Sequence, residues 1–167
     1  ADFFMRNFRN LTIDVGNTND GPSFIGDPVI SVNEDAVYTY NITATDPDAG
    51  AILTISAPTI PGWLALTATG NGTATLSGTP TNAEVGAHAV TLQVSDTVEL
   101  ASQTFTITVV NTNDAPVLAQ PVGQNNVKGA VVSLQLSATD VDAMDILTYS
   151  AIDLPDTLSI DPSGLIS

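Results

Sequence analysis

The chain has 167 residues, 18 of them acidic and three basic, with no cysteine and a formal charge of −15. Arg6, Arg9 and Lys128 are the only cationic side chains, which excludes phosphate neutralisation on nucleic acid, and the lack of cysteine excludes disulfide frameworks, thiolate metal sites and thiol nucleophiles. A hydrophobic fraction of 43% is enough for a folded core, while no apolar run in this segment reaches the length of a membrane span.

Laid against itself, the chain repeats. NTNDGP at 17–22 returns as NTNDAP at 111–116, an offset of 94 residues (114 − 20 for the aspartates). TATDPDA at 43–49 meets SATDVDA at 137–143, and Leu53-Thr54-Ile55 meets Leu147-Thr148-Tyr149. Pro61 and Leu64 likewise meet Pro155 and Leu158. Register holds to the loop after Leu66, where TATGNGTATLS is answered by DPSGLIS, a four-residue deletion.

In chain order, residues 1–20 read as the last strand and linker of a preceding repeat, because the offset sets Leu11 on Phe105, Ile13 on Ile107 and Val15 on Val109. A lone strand is not stable in water, so this one is expected to have a partner strand. Residues 21–114 read as one complete repeat. After a Gly/Pro-rich turn at 21–28, a short strand is expected over 29–33, and then Tyr38, Tyr40, Ile42 and Ala44 alternate with Val37, Thr39, Asn41 and Thr43. Further strands are expected over 51–57 and 73–77, with turns at 58–62 and 78–86. The last two carry Val90, Leu92 and Val94, then Phe105, Ile107 and Val109, each alternating with polar residues that suit a solvated sheet face. Residues 115–167 read as the N-terminal part of a further repeat, in which Val132, Leu134, Leu136 and Ala138 restate the inward row. No stretch holds a helical period. Roughly seven short strands in about 94 residues predict an all-β, immunoglobulin-like Greek-key sandwich, and the chain reads as a window on a longer tandem array; if that array is exported, its signal is expected outside this sequence.

The acidic residues gather at strand ends and between repeats. Asp46 and Asp48 stand two apart after a strand, so in an extended segment both carboxylates project to one side and repel unless a cation neutralises them. The pair returns as Asp140 and Asp142. Calcium, which takes about six to eight hard oxygens from carboxylates, amides and carbonyls, suits such a turn beside an Asn-x-Asn-Asp linker better than magnesium, which retains its waters.

Asn33-Glu34, Asp46-x-Asp48, Ser95-Asp96 and Asn111-x-Asn113-Asp114-x-Pro116, in that order, resemble the calcium motifs of cadherin repeats. The variant resembled most is the bacterial cadherin-like or dystroglycan-type repeat, related to immunoglobulin-like modules, whose phrases resemble LSGTPTNAEVG at 76–86. The resemblance implies tandem sandwiches joined by calcium-binding linkers. The junction near residue 20 would use Asn17, Asn19 and Asp20 with Asp46, Asp48 and Asp96. The junction near residue 114 would use Glu34, Asn111, Asn113 and Asp114 with Asp140 and Asp142, and Glu84 as a further ligand. Three departures stand out: the first linker Asp of cadherins is Asn here, only Glu84 lies near the place of the Asp-Arg-Glu motif, and Lys128 occupies the offset counterpart of Glu34. Fewer ions per junction than the three of a full cadherin are therefore expected, with a weakened or calcium-free junction after the third repeat.

Plainer readings compete. Asp-x-Asp and Asn-Asp are also ordinary turn formers. His88 reads as a surface strand residue and Trp63 as core rather than a sugar-stacking platform, while Asn10-x-Thr12, Asn41-x-Thr43 and Asn71-x-Thr73 match the glycosylation pattern by coincidence in a Thr-rich chain. One histidine and no phosphate-binding Gly-rich loop leave only carboxylate pairs, so no enzymatic activity is expected. The reading that results is a calcium-stiffened shaft of a secreted or cell-surface adhesin or extracellular fibre, with neighbouring repeats of the same protein as partners. The alternative is recognition of a polysaccharide or of a partner's repeat. In a fibre, the end segments would complete one another between subunits by strand addition.

Overall fold

The protein, a computed structural model, is described over residues 16–167; the readings at Leu11, Ile13, Val15 and Asn10-x-Thr12 lie outside the described residues. The most regular sequence pattern makes the most regular strand. Along β3 (Tyr38–Thr45) Tyr38, Tyr40, Ile42 and Ala44 are buried and every intervening residue is exposed, as a two-residue side-chain period on a half-buried sheet requires. Eight strands form the complete repeat: β1 (Ser23–Ile25), β2 (Ser31–Asn33), β3, β4 (Thr54–Thr59), β5 (Leu64–Gly70), β6 (Thr73–Gly78), β7 (Gly86–Ser95) and β8 (Leu100–Val110). They make two four-stranded sheets, β1-β3-β6-β5 and β2-β8-β7-β4, in a sandwich with one short 3-10 turn, Asn82–Glu84.

Contacts divide the described chain into two units, residues 16–29, 39–77 and 89–106, and residues 30–38, 78–88 and 107–167. In the first, Ala44, Leu53 and Val94 form a core joined by Phe24, Ala51, Ile55 and Ala101. The rings of Tyr40 and Phe105 meet edge to face at 6.0 Å between centroids. In the second, β2 pairs in parallel with β8, Ser31 opposite Thr108, and the Glu34 N–H donates to Val110 O at 3.0 Å. That pairing fixes Glu34 beside the chain that leaves β8 as the linker.

Two strands differ from the sequence reading. β1 falls within the stretch expected to be a turn, and β5 was not anticipated; both lie at edges of their sheet. A three-residue strand shows no period, and β5 buries only Leu64, so neither carries the alternation that marks a central strand. β4 starts at Thr54 rather than at residue 51. Residues 51–53 instead receive the side chain of Asn71, which donates to Ala51 O at 2.9 Å and accepts from the Leu53 N–H at 2.6 Å. Gly72 beside it has φ +65°, and a Cβ there would lie 2.9 Å from Ala44 O, so this turn needs glycine.

Residues 115–167 repeat the register. β9 (Val117–Leu118) pairs with β11 (Ala138–Thr139) as Val117 opposite Thr139 and Leu118 opposite Ala138. These are the β1–β3 pairs Ser23 with Thr45 and Phe24 with Ala44, each displaced by 94. β10 (Leu134–Gln135) pairs with β12 (Leu165–Ile166). The Ala44 N–H donates to Gly72 O, whereas Leu136, the counterpart of Ile42, donates to Gly164 O. An antiparallel ladder through Ala44 and Gly72 sets Ile42 opposite Ala74, and Gly164 is the counterpart of Ala74 once the four-residue deletion is subtracted (74 + 94 − 4), so the two ladders share one register. Val132, Leu134, Leu136 and Ala138 are half-buried, where their counterparts in β3 are buried.

Candidate metal centre

Both candidate junctions grow from one local device. The Asp48 N–H donates to Asp46 Oδ1 at 2.8 Å, and the Asp142 N–H donates to Asp140 Oδ1 at 2.9 Å. An aspartate that accepts from the backbone two residues on closes a tight turn, and each turn presents its second carboxylate to a linker. Asp48 Oδ2 accepts from the Asp20 N–H at 2.8 Å and Asp48 Oδ1 from Asn17 Nδ2. Asp142 Oδ2 accepts from the Asp114 N–H at 2.7 Å and Asp142 Oδ1 from Asn111 Nδ2 at 2.8 Å. The turn-forming reading of Asp-x-Asp therefore holds, and the same residues clasp the linker.

At the residue-20 junction, within the first unit, Asn19 Nδ2 donates to Asp96 Oδ2 at 2.9 Å, and the N–H groups of Val98 and Glu99 donate to Asp96 Oδ1 at 2.8 and 2.6 Å. The Glu99 N–H and the Asn19 amide, in that order, hold the Asp96 carboxyl below the usual carboxylate range. Asp46 contributes a buried Oδ2 that meets no donor. Asn17, Asn19, Asp20, Asp46, Asp48 and Asp96 thus come together as a group.

At the residue-114 junction, within the second unit, Glu34 is 2% exposed. Its Oε1 accepts from the Thr112 N–H at 2.6 Å, and its buried Oε2 meets no donor. Carboxylate oxygens of Glu34, Asp114 and Asp142 lie within 4.8 Å of one another, as do those of Asp140, Asp142 and Asp145. Asp140 Oδ2 is likewise buried without a donor. Burial raises the Asp114 carboxyl above its ordinary value, and the charges of Glu34, Asp142, Asp35 and Asp140 push it further. Asp142 is held low, first by the Asp114 N–H and then by the Asn111 amide. Asn113 bends back instead, donating to Asp114 O at 2.7 Å. The donors gathered here are oxygens of carboxylates and amides, two of them, Glu34 Oε2 and Asp140 Oδ2, buried and unmatched, and such a set fits a hard divalent cation.

Glu84 stands apart from this cluster's hydrogen bonds. Its Oε2 accepts from the Thr81 N–H at 2.8 Å and from Thr81 Oγ1 at 2.7 Å, capping the 3-10 turn, and those bonds hold its carboxyl low. The turn delivers Asn82 to the cluster: Asn82 Nδ2 donates to Asn111 Oδ1 at 3.3 Å and to Asp142 Oδ1 at 3.5 Å. Asn82 and Asp145 are the two residues that the sequence reading missed. His88 lies in β7, half-buried, with Nε2 at 2.5 Å from Glu84 O, and Trp63 is half-buried. Among the described residues no helix is long and apolar enough to cross a membrane.

Comparison with known proteins bears on the fold. No curated protein matches the chain. Among solved structures it is similar to domains EC22–24 of mouse cadherin-23, with 23% identity over 90% of this chain and 54% of that one and a TM-score of 0.56. It is also similar to human protocadherin-24 EC1–2, with 20% identity over 89% and 77% and a TM-score of 0.49. An endo-fucoidan hydrolase of glycoside hydrolase family 107 aligns at 30% identity over 60% of this chain and 16% of that one, with a TM-score of 0.46. The chain spans only 15–17% of the length of the fucoidan hydrolases it matches. The cadherin-23 likeness is one of fold, an all-β cadherin-like sandwich. Residues 21–110, more than half of the 167, match the family described as Putative Ig domain, and the chain belongs to that immunoglobulin-like family.

Proposed function

We propose that this chain is part of the shaft of a secreted or cell-surface protein, an adhesin or extracellular fibre, in which calcium stiffens the joints between tandem cadherin-like repeats. In this reading residues 1–20 end one repeat, residues 21–114 are a complete repeat and residues 115–167 begin another. The observation that carries it is Glu34: a carboxylate 2% exposed, with Oε2 unmatched and one of its oxygens within 4.8 Å of carboxylate oxygens of Asp114 and Asp142. A buried charge without a partner is costly, and a bound cation removes the cost. Asn111, Asp114 and Asp142 would hold calcium with Glu34, and Asn17, Asn19, Asp20, Asp46, Asp48 and Asp96 would do so at the other joint, while Glu84 keeps its capping role. The ion would supply charge neutralisation and a rigid coordination shell. Its neighbours would be repeats of the same protein, and the role is mechanical rather than catalytic.

Small-angle scattering of the 167-residue chain in calcium and then in chelator tests this. A stiff, extended particle that becomes flexible on chelation is expected. Identical scattering and identical thermal midpoints in both buffers would overturn the reading.

A further inference from the structure

A sheet edge presents N–H and C=O groups that invite another strand unless the edge is guarded. Among the described residues, three of the four edges of the sandwich are guarded. β1 and β2 are three residues long, and β4 carries Pro58 and a break in register between Ser56 and Thr59. β5 is the fourth edge: seven residues with β6 as neighbour on one side, and neither a proline nor a charged residue among them. Leu64 is buried and Leu66 half-buried, whereas Ala65 and residues 67–70 are exposed. The next two strands of the sheet, β6 and β3, are also free of charged residues, in a chain of net charge −15. The following repeat treats the same place differently. There the offset of 94 sets Asp161 on Thr67, and Pro162 follows. Asp161 Oδ1 accepts from the N–H groups of Ser163 and Leu165 at 2.9 and 3.0 Å and closes a shorter hairpin. A charge and a proline thus stand where β5 has neither.

We propose that β5 is a self-association edge, at which a second copy of this chain adds its own β5 antiparallel and joins the two four-stranded sheets into one. Charge selects that occupant. A basic partner would be drawn to the acidic surfaces, whereas two copies of −15 repel there and can meet where the joining strands carry no carboxylate. The pairing is isologous, and all seven residues pair only when the two-fold axis passes through Thr67. Thr67 then lies opposite its equivalent, and Ala65 opposite the equivalent of Thr69. This register keeps the Leu64 and Leu66 row on the core side of both copies. One strand from each side makes a small interface, so the pair is reversible. The inference goes beyond the shaft reading: it concerns sideways pairing of chains rather than their joints, and needs no calcium.

Sedimentation velocity of the full chain over a rising concentration series, in chelator, tests it with the wild type, Thr67→Lys and Thr67→Asp. Thr67 is exposed, and circular dichroism checks that each variant folds. The wild type should dimerise reversibly, and more tightly at high salt, which screens the repulsion between two chains of −15. Thr67→Lys should weaken the dimer about tenfold even though it makes the chain less negative, because like charges then face each other across the axis. Mixing Thr67→Lys with Thr67→Asp should restore pairing. The chain has no cysteine, so Thr67→Cys should oxidise to a disulfide-linked dimer at cross-strand spacing. Thr106→Cys, exposed on the inner strand β8 of the other sheet, should not cross-link. A monomeric wild type, a dimer that Thr67→Lys leaves unchanged, or equal cross-linking at both cysteines would overturn this inference and leave the calcium reading standing.

Discussion

The loops at 43–51 and 137–145 close with the same aspartate turn and clasp their linkers with the same two donors, an asparagine amide and an aspartate N–H. They differ in what surrounds the clasp. The residue-20 loop has Asn19 and Asp96, whose carboxylate is fully matched by N–H groups. Asp46 there and its counterpart Asp140 each leave a buried carboxylate oxygen unmatched, and the residue-114 loop adds Glu34, whose buried Oε2 is also unmatched. The clasp is therefore built into each repeat, as part of its own loop and linker, and in the calcium reading proposed above the demand for a cation would come from the unmatched carboxylates around it.

Removing the clasp should have the largest effect. Asp142→Ala deprives the Asp114 N–H and the amides of Asn111 and Asn82 of their acceptor, and also removes the carboxylate common to both acidic groups. Amide hydrogen exchange at Asp114 should then become fast in calcium and in chelator alike. Asp48→Ala should free Asp20 in the same way and leave Asp114 protected. If one substitution exposed both amides, the two clasps would not be independent devices.

Glu34→Gln should act on one joint only, with opposite signs in the two buffers. Gln keeps an acceptor for the Thr112 N–H and removes the unmatched buried charge, so without calcium the variant should be more stable by about 1–3 kcal/mol. In calcium at a hundredfold excess over its Kd, the wild type should gain about 2.7 kcal/mol that the variant lacks. Urea unfolding in both buffers measures the crossing. Parallel behaviour of the two proteins would show that Glu34 is buried for some reason other than a cation.

The parts of this molecule legible in sequence are those that depend on local period and on repetition. Tyr38, Tyr40, Ile42 and Ala44 announce β3 because alternate residues face one way, and the offset of 94 carries through to the pairing of β9 with β11. The edge strands β1 and β5 escaped because one is too short for a period and the other buries too little. At the site, the Asp-x-Asp turns and the linkers are contiguous motifs. Asn82 reaches Asp142 only through the folded position of a 3-10 turn 60 residues away, which no motif records. Asp145 escaped for the opposite reason: self-comparison displays what two repeats share, and Asp145 is where they part.

The finest test turns on the linker asparagines. Asn17 and Asn111 stand where the cadherin pattern has Asp, and in both places the amide nitrogen points at the second aspartate of the turn. An amide can donate its N–H to a carboxylate or, turned over, offer its oxygen to a cation. It can therefore hold the linker with calcium absent, whereas Asp at the same place could serve only the loaded state. Asn111→Asp replaces that donor with a charge facing Asp142, so the joint should loosen in chelator and bind calcium roughly tenfold more tightly, as added ligand charge does. Asn17→Asp should shift the same way but less, because at that loop only Asp46 has a buried, unmatched carboxylate oxygen, against Glu34 and Asp140 at the other. Calcium titrations of the two variants compare the joints directly, and an equal or larger gain at residue 17 would mean that the surrounding carboxylates do not set the cation demand.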